Sequence, residues 1–227
     1  MQELDRLRAL ADPDRAARAA ARHKTGRETL GLTPAAIDEI AAEWRAAHEP
    51  EARTALARAL WDSNVHDARL VAARLLVQAR MQPDDAAWQA ILDWADEIDG
   101  AEIGDAVMSA AGRRLMADPA RLEQIAPWAA SRNPWLRRGL LTATLPWAKM
   151  NNPKPDDLAI RERVLDLALR LAADRNGAVR QAAQTWARDL AKRDPDRVAA
   201  WHAAVAEAAR AAEPDPEADP APDDQER

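Results

Sequence analysis

Between residues 34 and 48 the apolar positions Ile37, Ile40, Ala41 and Trp44 fall at i, i+3, i+4 and i+7, the single stripe of an amphipathic helix. Leu165, Leu169 and Ala172 share that helical spacing, as do Val179, Ala182, Ala183 and Trp186. No stretch carries the strict alternation of a half-buried strand. Proline punctuates the pattern at Asp12-Pro13, Thr33-Pro34, Gln82-Pro83, Asp118-Pro119, Asn133-Pro134 and Asp194-Pro195. At a first helical position its missing N–H loses no bond, and Asp, Thr or Asn before it can cap the helix. Asp99-Gly100 and Asn176-Gly177 are turn pairs.

The pattern predicts helices over 3–11, 14–24, 34–48, 51–61, 65–80, 84–97, 101–116, 119–130, 134–148, 156–173 and 178–193, with a last one near 196–212. Short connections make consecutive helices antiparallel pairs, and pairs of roughly 35 residues suit an all-α, HEAT-like α-solenoid over residues 1–212. A compact helical bundle is the alternative architecture. A solenoid lines a long inner surface with one helix of each pair, and out-of-place polar residues there point to function.

Composition narrows the chemistry. Nine tryptophans supply all the aromatic bulk, since the chain has no phenylalanine, tyrosine or cysteine. Disulfide and thiolate chemistry are thereby excluded. The four histidines and many acids show no local ligand spacing, and seven glycines form no phosphate loop, so neither metal nor cofactor is expected. His66-Asp67, adjacent on a helix, diverges and reads as surface. No apolar run approaches a membrane span, and the expectation is a soluble, cytoplasmic monomer.

The net charge of −6 lies wholly in residues 213–227, which hold seven acids and one arginine. This Pro-rich acidic tail reads as disordered, with the charge to fold back on a basic groove. Residues 1–212 are neutral overall, which leaves room for a basic face opposite an acidic one. Arginine outnumbers lysine 28 to 4, from genomic base composition or from phosphate recognition by guanidinium forks.

The stretch ADPARLEQIAPWAASRNPWLRRGLL (117–141) resembles the AlkD-type DNA alkylation repair family, HEAT-like-repeat DNA glycosylases. Pro127 and Trp128, then Ser131 and Asn133, then Trp135-Leu136-Arg137-Arg138 carry the likeness. LGLTPAAIDEIA (30–41), ALWDSNVHDARLVAARLL (59–76) and ARDLAKRDPDRV (187–198) resemble further family segments in the same order. The resemblance implies a C-shaped solenoid whose concave basic face grips double-stranded DNA. It also implies base excision repair of cationic N3- and N7-alkylpurines without base flipping. An aspartate beside the deoxyribose would stabilise the oxocarbenium-like transition state or orient water, an arginine would contact the backbone, and two tryptophans would pack on the sugar.

Carried over by position, the arginine is Arg138. The aspartate is Asp105, one turn into a helix, or Asp99, which reads as that helix's cap. The tryptophan positions hold Ala101 and Thr185, so the chain departs from the family there. Trp186 adjoins the second, and Trp94 becomes a neighbour of the first if Asp99 is the match. Trp135 is expected in the core, with Arg138 at the concave rim and Arg137 pointing elsewhere. Further candidate DNA contacts are Arg137, Arg175, Arg180, Lys149, Arg113 and Arg114. Arg175 and Arg180 flank a turn that opens a helix, whose first amides can meet a phosphate.

Overall fold

The computed structural model describes residues 1–211; the acidic tail at 213–227 lies outside them. The described residues are helical and contain no strand. In chain order they form α1 (Gln2–Ala9), α2 (Pro13–His23), α3 (Pro34–Ala47), α4 (Pro50–Asp62), α5 (His66–Leu75), α6 (Asp85–Trp94) and α7 (Ala101–Ala117). There follow α8 (Leu122–Ile125), α9 (Pro134–Ala143), α10 (Leu145–Lys149), α11 (Pro155–Leu171), α12 (Gly177–Ala191) and α13 (Pro195–Ala211). None of these helices is long and apolar enough to cross a membrane.

The caps explain where the helices begin. The side chains of Asp12, Thr33, Asn133 and Asn176 each accept a backbone N–H from the first turn of α2, α3, α9 and α12. The boundaries move where proline intrudes. Residues 119–130, expected as one helix, are two 3-10 turns around α8; Pro127 has no N–H to donate to the turn before it, and the α-helical ladder ends at Ile125. Pro146 likewise divides 134–148 into α9 and α10. The 65–80 helix stops at Leu75; beyond it the Gln78 carbonyl accepts from Arg114 and the Gln78 side chain from Arg53.

Helices α3, α5, α7, α9 and α12 pack side by side in one row. Helices α4, α6, the 119–130 segment, α11 and α13 cover its back, and α1 packs on α5. Polar ties between neighbouring elements recur at a separation near 36 residues. Trp61 Nε1 donates to Glu97, Trp88 Nε1 to Gln124 and Trp201 Nε1 to the Leu165 carbonyl, each across 36 residues. The Asp67 carboxylate accepts the Leu30 and Leu32 amides, 37 and 35 residues back.

The arginine excess is partly structural. Arg53, Arg69, Arg114, Arg121, Arg137 and Arg161 are all buried. Each donates to carbonyls or carboxylates of a neighbouring turn or helix. Arg121, for example, holds Asp84 through two 2.8 Å bonds, and Arg161 donates to the Trp147 carbonyl at 2.8 Å. A guanidinium offers five donors in a fixed planar fork, against three on a compact lysine ammonium, and so reaches acceptors on more than one element at once.

Candidate functional site

The row of five helices presents its polar positions at helical spacing. On α7 these are Glu102, Asp105, Ser109 and Arg113; on α9 and α10 they are Arg138, Thr142 and Lys149; on α12, Gln181 and Thr185; on α5, Arg74. Shallow hollows run along this face and share walls: Asp105 lines three of them and Glu102 three. Their cations are Arg15, Arg18, Arg22, Arg74, Arg113, Arg138 and Lys149, against the carboxylates Asp99, Glu102 and Asp105. Five of these seven cations pair with an acid: Arg15 with Asp12, Arg22 with Glu102, Arg74 with Asp38, Arg138 with Asp105 and Lys149 with Asp189.

Two glycines let α7 and α9 approach closely. A Cβ on Gly112 would sit 2.9 Å from the Ala143 carbonyl oxygen, and one on Gly139 would sit 2.8 Å from Met108 Cε. Close approach brings Asp105 and Arg138, 33 residues apart, into a bidentate pair through Nη1–Oδ1 and Nη2–Oδ2, the latter at 3.1 Å. The Arg138 side chain is 21% exposed and that of Asp105 49%, so the pair lies on the surface of the row, where a ligand can compete for either partner.

The other expected site residues divide. Arg113 and Lys149 are exposed and line one hollow with Asp105; Lys149 also reaches Asp189 at 3.5 Å. Arg175 and Arg180 are exposed at the start of α12, and Arg180 Nη1 donates to the Asp174 carbonyl at 2.6 Å. Arg114 is not a surface contact: it is 0% exposed and binds Asp84 and the Gln78 carbonyl. Arg137 is also interior. Its guanidinium meets Asp174 at 2.6 and 2.9 Å and the Ser131 carbonyl at 2.7 Å. This partner, foremost through its hydrogen bond, holds Asp174 below the usual carboxylate range. The two arginines of the 137–138 pair therefore serve different ends, one tying α9 to the turn before α12, the other facing the hollows.

Neither tryptophan proposed for sugar packing can perform it. Trp186 is fully buried, and Trp94, 2% exposed, stacks on Trp61 with centroids 4.4 Å apart. Asp99 is not the cap of α7, a position taken by Gly100; it pairs with Arg27 at 2.7 Å. His66 and Asp67 are buried rather than superficial, because α5 lies inside the row and is covered on nearly every side. Trp135, expected in the core, is half-buried and lines a hollow with His23, His66 and Glu102. It went unrecognised because the apolar stripe of α9 gives no sign that its edge is open. Arg15, Arg18 and Arg22 on α2 also line a hollow; their helical spacing is visible in the sequence, but not the side that α2 turns to the row.

A family model described as DNA alkylation repair enzyme matches residues 4–213. No curated protein matches the chain.

Proposed function

The chain belongs to the DNA alkylation repair enzyme family, and from that premise we propose that it is a HEAT-like α-solenoid that grips duplex DNA along α3, α5, α7, α9 and α12 and excises cationic N3- or N7-alkylpurines. The observation that carries this reading is the Asp105–Arg138 pair at the meeting of three hollows, on the face where cations collect. The two helical rows and the 36-residue separation of the ties that run along the covering row support the solenoid, with the five-helix row as its concave side.

The chemistry follows from charge. An alkylated purine already carries a positive charge and leaves readily, so the remaining barrier is the cation that develops at C1′ of the sugar. In the free protein Arg138 neutralises Asp105. A backbone phosphate arriving at the groove takes over the guanidinium fork and leaves the carboxylate facing the sugar. A carboxylate held beside developing positive charge, with bound DNA covering the groove, stabilises the transition state more than the ground state. Arg15, Arg18, Arg22, Arg74, Arg113 and Lys149 supply further phosphate contacts.

A second reading, DNA binding without excision, is favoured by one observation. Ala101 and Thr185 stand where the family packs tryptophan, and Trp94 and Trp186 are locked in the core. Base release from duplex DNA carrying N7-methylguanine separates the two. Excision predicts release by the intact protein, reduced on the order of 100-fold or more in Asp105→Asn. No release, with binding that weakens in Arg138→Ala, would establish the second reading and end the first.

A further inference from the structure

One turn before Asp105, three side chains from three helices converge. His23 is the last residue of α2, His66 the first of α5, and Glu102 lies in the first turn of α7. His23 Nε2 is 2.9 Å from Glu102 Oε2, and His66 Nε2 is 3.6 Å from the same oxygen. The two imidazoles stack with centroids 4.0 Å apart, and the three donor atoms lie within 4.8 Å of one another. The His66 side chain is 5% exposed, and neither of its ring nitrogens has a hydrogen-bond partner. A buried imidazole with both nitrogens unpaired is costly and asks for a ligand.

From this geometry we infer that His23 Nε2, His66 Nε2 and Glu102 Oε2 hold a divalent ion of the zinc class, clipping α2 to α5 and α7. Tetrahedral zinc with bonds of about 2.0–2.1 Å keeps its donors roughly 3.3 Å apart, between the two imidazole–carboxylate separations found here, and one imidazole turns out of the stack to bring both Nε2 lone pairs onto the ion. Two imidazoles and a carboxylate are a zinc-type donor set, and the fourth position faces the hollow beside Trp135. The ion accounts for His66 Nε2; its Nδ1 stays without a partner. Arg22 Nη2, 3.4 Å from Glu102, competes for the carboxylate, but its side chain is 69% exposed and free to swing away.

The clip has a structural purpose. Helix α2 has no buried residue, yet its Arg15, Arg18 and Arg22 wall the hollows. Half-buried Ala16 and Ala19 and the 2.8 Å bond from Arg15 Nε to the Gly31 carbonyl hold one end of it, and the ion would hold the other. No short ligand motif marks the site, because its members lie some 36–43 residues apart on separate helices.

Zinc titration of the full chain, freed of metal by chelation, tests the inference by calorimetry, with cobalt absorption as a second readout. One zinc per chain is expected, accompanied by slower hydrogen exchange across α2 and a tetrahedral cobalt spectrum. His23→Ala and Glu102→Gln, folded by circular dichroism, should bind at least about tenfold more weakly. His202→Ala, remote from the cluster, should bind as the unaltered chain does. Zinc binding that persists unchanged in His23→Ala and Glu102→Gln, or no zinc bound at micromolar concentration, overturns the site. Neither result touches base release, so this inference stands or falls apart from the DNA reading.

Discussion

Arg113 and Arg114 are neighbours in sequence with opposite fates. Arg113 is exposed at a hollow, and Arg114 is sealed with Asp84 and the Gln78 carbonyl. Helical geometry turns adjacent residues about 100° apart, and the covering 119–130 segment buries the second. Arg114→Ala leaves a buried carboxylate short of one partner. Loss of about 3–5 kcal/mol in urea unfolding is expected. Asp84 also sets an acid limit. The hydrogen bond from Arg121, backed by the charges of Arg121 and Arg114, holds its carboxyl below the usual range despite burial. A depressed folded-state value means that this contribution is complete above about pH 4 and is lost as pH falls through the depressed value. Melting temperature followed from pH 7 to 3 should therefore drop more steeply for the unaltered chain than for Asp84→Asn. Equal slopes would place the acid sensitivity elsewhere.

At the scale of elements, the crossing of α7 and α9 decides whether Asp105 and Arg138 meet. Gly112 and Gly139 are where the two helices touch, but they differ in what a methyl group would strike. At Gly139 it strikes the flexible end of Met108; at Gly112 it strikes the backbone oxygen of Ala143 at 2.9 Å, which cannot rotate away. Gly112→Ala should cost roughly 1–3 kcal/mol of overpacking, offset by up to about 1 kcal/mol of helix propensity. Gly139→Ala should stay closer to neutral. Chemical unfolding gives the ordering, and the same Gly112 variant should release base more slowly because the ion pair is spread. The rhythm of capped, proline-led helices was legible without coordinates, since each cap depends on residues within one turn. The breaks at Pro127 and Pro146 obey an equally local rule, but the apolar stripes continue through them and mask it.

For the whole molecule, the charge on the five-helix face is a collective property. A groove that neutralises phosphates releases counterions, so DNA affinity should fall steeply with salt, and Arg113→Ala should reduce the slope by about one without loss of stability. Arg137→Ala, in the core, should lower stability instead. A slope identical in Arg113→Ala and the unaltered chain would place the DNA elsewhere. What the amino-acid sequence determined by itself was the local and the additive: helices, caps, the absence of strands and thiols, and the position of Arg138 within a recognisable order of segments. What only the tertiary structure decided was which side of each helix is covered. That choice put Arg137 and Arg114 inside and left Trp135 half-buried beside a hollow. It joined Asp105 to Arg138 across 33 residues and gathered His23, His66 and Glu102 from three helices. The physical reason is that periodicity reports one face of one helix, whereas exposure and long-range pairing depend on the neighbours a helix acquires when the rows stack.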